Sequence, residues 1–83
     1  MKVEAKDIPI IQRFMTEYWK AIKEFYSVEI TDEYSKQASD KLVWLGEISG
    51  VCTNKHDKEF IQDCINALEK LLDSKQREMR INQ

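Results

Sequence analysis

The side chains with the greatest capacity for chemistry crowd into one stretch, where Cys52, His56 and Cys64 follow one another with Asp57 alongside. Two thiolates and an imidazole are zinc ligands, and Asp57 or water would complete a tetrahedron. The spacing lacks the paired Cys-x-x-Cys of a zinc knuckle. Both cysteines also fall where an inward helical face wants a small apolar side chain. The expectation is therefore core packing for the cysteines, a solvated connection for His56, no metal ligands and no cofactor.

Nucleophilic catalysis needs a thiol or hydroxyl beside a base that a third group orients. One histidine serves the whole chain, and no glycine-rich turn lies near it to hold an oxyanion. The acids Glu29, Asp32 and Glu33 resemble a general acid and base pair, but acids at the head of a helix are expected for dipole reasons alone. No glycine-rich phosphate loop is present. No catalytic residue is assigned, and the chain is not expected to be an enzyme or to take a small-molecule substrate.

What positions these residues is a set of amphipathic segments. Stepped around a helical wheel, Ile8, Ile10, Ile11, Phe14, Met15, Tyr18, Trp19, Ala21, Ile22, Phe25 and Tyr26 share one half, and the charged residues between them fill the other. Asp7 is placed to cap this first helix, and Pro9 is tolerated in its first turn. Thr31, followed by Asp32 and Glu33, restarts a helix whose inward stripe is Tyr34, Ala38, Leu42, Leu45, Ile48 and Cys52. Gln37, Lys41 and Ser49 interrupt that stripe, with Lys41 expected to snorkel to water. Gly46 and Gly50 weaken its end. Asn54 or Asp57 caps a third segment with Phe60, Ile61, Cys64, Ile65, Ala67, Leu68, Leu71, Leu72 and Met79 inward.

The pattern predicts helices at about 8–27, 32–52 and 56–80 in a single domain spanning 1–83. Short links force neighbouring helices antiparallel. The expected fold is all-α, an up-down-up three-helix bundle, with a long helical hairpin that dimerises as the alternative. Lys75 and the stretch from Arg77 to Gln83 are expected to overhang the core.

Thirteen Lys and Arg against fifteen Asp and Glu give a net charge of -2, so no broad positive field is available for nucleic acid. The alternative partner reading uses the basic end of the third helix, Lys70, Lys75, Arg77 and Arg80. The polar opening Met1-Lys2-Val3-Glu4 is not expected to be a signal peptide, and no window reaches the length of a membrane span. Two cysteines without a disulfide framework suggest the cytoplasm.

By elimination, the expected function is a small cytoplasmic helical module that binds a protein partner or a second copy of itself. Val43 points away from the inward stripe of the second helix, beside Trp44, Glu47 and Val51, and this surface is one candidate interface. The competing reading tucks Trp44 and Val51 under a neighbouring helix and leaves Val43 as an isolated exposed side chain. Trp19 and Tyr26, at the margin of the first helix, are expected to stay partly exposed and join the partner-binding set. Phe14, Tyr18 and Phe25 are expected to fill the core.

Overall fold

The computed structural model describes residues 5–81; the opening Met1–Glu4 and the final Asn82 and Gln83 lie outside it. Three helices follow one another, α1 (Ile8–Phe25), α2 (Asp32–Ser49) and α3 (Lys55–Ile81), and no strand occurs among the described residues. They pack as a three-helix bundle, with α2 against both neighbours and α1 and α3 meeting each other less extensively. The molecule is elongated, 57 × 19 × 17 Å, because α3 is 27 residues long and outruns two helices of 18.

Local chemistry sets the helix ends. The Thr31 hydroxyl accepts a hydrogen bond from the Tyr34 amide at 3.1 Å, and Asp32 and Glu33 occupy the positive end of α2. Asn54 performs the same service for α3, its side-chain oxygen accepting from the His56 amide at 2.8 Å. Asp7 stands at the head of α1, yet its side chain makes no capping bond to that helix. Its carboxylate points elsewhere, contrary to what its sequence position suggests.

The C-terminal ends of α1 and α2 come earlier than the apolar pattern predicts. α1 stops at Phe25 rather than 27, although the Tyr26 amide still reaches the Ile22 carbonyl. α2 stops at Ser49 rather than 52. There the amides of Gly50, Val51 and Cys52 bond to carbonyls three residues back, tightening the chain into a turn. Cys52 leaves the helix but stays buried, so its apolar character marks the core and not the helix.

Each helix supplies one fully buried large side chain, Phe14, Leu45 and Ile61. Around them pack Ala21 and Phe25, then Tyr34, Ala38 and Ile48, then Ile65, Leu68 and Leu72. Two tyrosines, Tyr34 buried and Tyr18 partly so, satisfy their hydroxyls on the backbone of neighbouring elements. Tyr34 donates to the Phe25 carbonyl and Tyr18 to the Cys64 carbonyl, each at 2.6 Å. The Tyr34 ring meets Phe25 edge-on and the Tyr18 ring stacks on Phe14. Ser49, expected to interrupt the inward stripe, is buried and tied to the Gly46 carbonyl and the Gln62 amide.

Gly46 faces α3, but a methyl group there would meet the Gln62 amide at 3.6 Å and Ile65 at 3.9 Å, ordinary contact distances. No close backbone approach requires this glycine. Gly46→Ala is expected to stabilise the fold by about 1 kcal/mol through helix propensity. Thermal unfolding checks this: a lowered midpoint would mean that α2 and α3 approach more tightly than described.

Candidate interaction surface

The site is assembled by the alignment of α1 with α3. Three contacts, taken in chain order along both helices, show that they run parallel and in register. At the first, the Asp7 carboxylate accepts from the Thr53 amide at 2.9 Å, the Thr53 hydroxyl at 3.0 Å and the Asn54 amide at 2.9 Å. The Tyr18 hydroxyl on the Cys64 carbonyl follows. At the far end the Lys75 ammonium lies over the Tyr26 ring, 3.2 Å from its centre. Lys75 therefore belongs to the packed part of α3 and not to its overhang.

Because these contacts use one flank of each helix, the adjoining apolar margins emerge on the same side, away from α2. From α1 come Ile8, Met15, Trp19 and Tyr26, and from α3 come Phe60, Ala67 and Leu71, with Cys64 in the seam. Trp19 is 58% exposed, Tyr26 54%, Phe60 46% and Leu71 42%. Large apolar side chains left half-open along one face form a patch of the kind that marks an interaction site. Lys23 approaches the Trp19 ring, 5.7 Å from its centre, and borders the patch on the α1 side.

The six expected partner residues do not share a surface. Trp19 and Tyr26 lie on the α1–α3 face, while Val43, Trp44 and Glu47 lie on α2 and Val51 in the turn that follows it. Val51 is 62% exposed and does not tuck under a neighbour; Val43, 65% exposed, stands among Lys36, Asp40 and Glu47. Trp44 borders a shallow depression between α1 and α2 with Glu24, Gln37 and Asp40, and the Lys41 ammonium rests 5.0 Å from its ring centre. Lys41 thus reaches water along an aromatic ring. Phe60 and Leu71 are a correction in the other direction. These two, with Ala67 and Met79, belong to the arc expected inward and are exposed; the breadth of the α3 apolar arc is the available signal, since one neighbouring helix cannot cover all of it.

Among the described residues, no group of three His, Cys, Asp or Glu side chains is placed to hold a metal, and Cys52, His56 and Cys64 are not brought together. Cys52 is buried, and burial above all, with the nearby carboxylates of Asp7 and Asp57, pushes its thiol up. Burial and Asp63 do the same to Cys64. Neither thiol is poised as a thiolate. Two of the cations at the end of α3 are also engaged, Lys75 on Tyr26 and Arg77 with Asp73 at 3.0 Å. No described helix is long and apolar enough to cross a membrane. Comparison with protein-family models, curated proteins and solved structures finds no match for this chain.

Asp7 is almost wholly buried. The Thr53 amide above all, then the Asn54 amide and the Thr53 hydroxyl, hold its carboxyl down at about 2 against the upward pull of burial. Asp57 lines the same depression as Asp7, and the neighbouring Asp7 carboxyl above all, with burial, pushes its own carboxyl up. The signs differ. Stability from Asp7 is complete above its unfolded value of 3.8 and is lost as pH falls toward about 2. Stability from Asp57 is present while it keeps its proton and is lost as pH rises through its raised value, when two carboxylates face each other. Asp7→Ala is expected to lower the unfolding midpoint at neutral pH by roughly 10 °C. Asp57→Asn removes the charge beside Asp7, and is expected to raise that midpoint and to flatten its fall as pH rises through the raised value of Asp57. Thermal unfolding followed by circular dichroism across pH checks both.

Proposed function

We propose that this protein is a non-catalytic helical interaction module, and that it binds a protein partner through the α1–α3 face. The carrying observation is that Trp19, Tyr26, Phe60 and Leu71 stand half-exposed along one side of two parallel helices. Tryptophan and tyrosine are the residues that dominate binding energy at protein interfaces, and charged groups at the edge suit a polar rim. The α2 surface offers a weaker case, because Val43 is surrounded by charge and Trp44 already carries Lys41. Two free cysteines, one buried and one partly so, support residence in a reducing compartment such as the cytoplasm.

Site-specific photo-crosslinking in the source cell tests the reading. A photoreactive residue at Leu71 is expected to give covalent adducts with protein that disappear when Trp19→Asp is added, while one at Val43 gives few. Both variants should keep their helical circular dichroism, since Trp19 and Leu71 lie outside the buried core. Absence of any protein adduct at Leu71, or adducts confined to Val43, would overturn it.

A further inference from the structure

We propose that the occupant of the α1–α3 face is a second copy of this chain, related by a twofold axis that sets α3 antiparallel to α3 and α1 antiparallel to α1. The inference rests on the interaction reading and names its partner. Along the open margin of α3, Phe60, Cys64, Ala67, Leu71 and Ser74 recur at alternating steps of four and three residues, the seam spacing of paired helices. On α1 the open margin repeats the same steps through Ile8, Gln12, Met15, Trp19, Ile22 and Tyr26. From Phe60 to Leu71 on α3, and from Ile8 to Tyr26 on α1, the steps are symmetric about the midpoint. Reversing α3 sets Phe60 against Leu71 of the second copy and Cys64 against Ala67, large beside large and small beside small. Reversing α1 sets Ile8 against Tyr26, Gln12 against Ile22 and Met15 against Trp19. Their midpoints lie within about one helical turn of each other, because the Tyr18 contact with Cys64 falls near both. A self-complementary patch of this kind is what an isologous interface requires.

Charge agrees with the geometry. Beside the α3 seam stand Asp63 and Lys70, both exposed, and neither makes an ion pair with another described residue. In the antiparallel arrangement Asp63 of each copy lies opposite Lys70 of the other, giving two reciprocal pairs across the axis. A parallel arrangement would not bring them together. The half-open aromatic and aliphatic side chains, with the flanking atoms, amount to roughly 600 Å² per copy, so two copies would cover about 1,200 Å², the lower bound of a specific interface.

Sedimentation equilibrium of the full chain from about 1 µM to 1 mM, at low salt, tests this, with both charges chosen because their exposure leaves folding intact. A reversible monomer–dimer equilibrium is expected. Asp63→Lys alone and Lys70→Asp alone should each weaken association about tenfold or more by placing like charges opposite one another. Mixing the two single variants in equal amounts should restore it as a mixed dimer, and the double variant should restore it alone. Wild-type protein that stays monomeric throughout, or single variants that associate as the wild type does, would overturn the proposal. If the chain is monomeric while Leu71 still crosslinks to a different protein, the second copy is excluded and the interaction module stands. If Leu71 crosslinks to nothing, both fall.

Discussion

Two parallel helices packed side by side place like ends of their dipoles together, and the carboxylate of Asp7 answers that problem at the amino-terminal end. Its oxygens take the free amides of Thr53 and Asn54 just ahead of α3, while its own backbone carbonyl accepts the first bond of α1 from Ile11. One buried negative charge thus serves both positive helix ends. At the opposite end cations appear: Lys23 in the last turn of α1 and Lys75 from α3 over Tyr26. The alignment of α1 with α3 follows from this electrostatic arrangement as much as from packing. α2, antiparallel to both, needs no such device.

With the alignment set, the open face follows from arc width. α1 carries an apolar arc spanning half its circumference, and α2 together with the near flank of α3 covers only part of it. Phe14, Ala21 and Phe25 go inward, Tyr18 and Ile22 fill the seam, and Trp19 and Tyr26 remain over. α3 divides in the same way, with Ile61, Ile65, Leu68 and Leu72 inside and Phe60 and Leu71 outside. On α2 most of the apolar residues are spent on the core, which leaves Val43 and Trp44 outside it, with Val51 exposed in the turn beyond.

The architecture was legible because it depends on periodicity, and periodicity survives in a single sequence. The three helices, the Thr31 cap and the half-open Trp19 and Tyr26 all follow from residue spacing. What spacing does not carry is which flank of a helix a neighbour occupies. Phe60 and Leu71 sit on the same apolar arc as Ile61 and Leu72, and only the side on which α1 lies separates them. For the same reason Trp19 and Val43 could not be assigned to different surfaces. Asp7 illustrates a second limit: its position ahead of an apolar run is that of a helix cap, yet its bonds go to residues far along the chain. A pairing so distant leaves no local trace.

Stability and interaction are coupled in a chain of this size. A domain of 83 residues buries a smaller share of its surface than a large one does, and its stability is the small remainder of opposing terms. Here the buried core consists of a dozen hydrophobic side chains, with the rings of Trp19, Tyr26 and Phe60 outside it. Those rings represent apolar area comparable to several core residues, so whatever covers them adds to folding free energy by mass action. Helix α1 gains most. It holds α3 through Asp7, Tyr18 and Tyr26, contacts spread thinly along its length, and a partner lying across both helices would close the seam those contacts leave open.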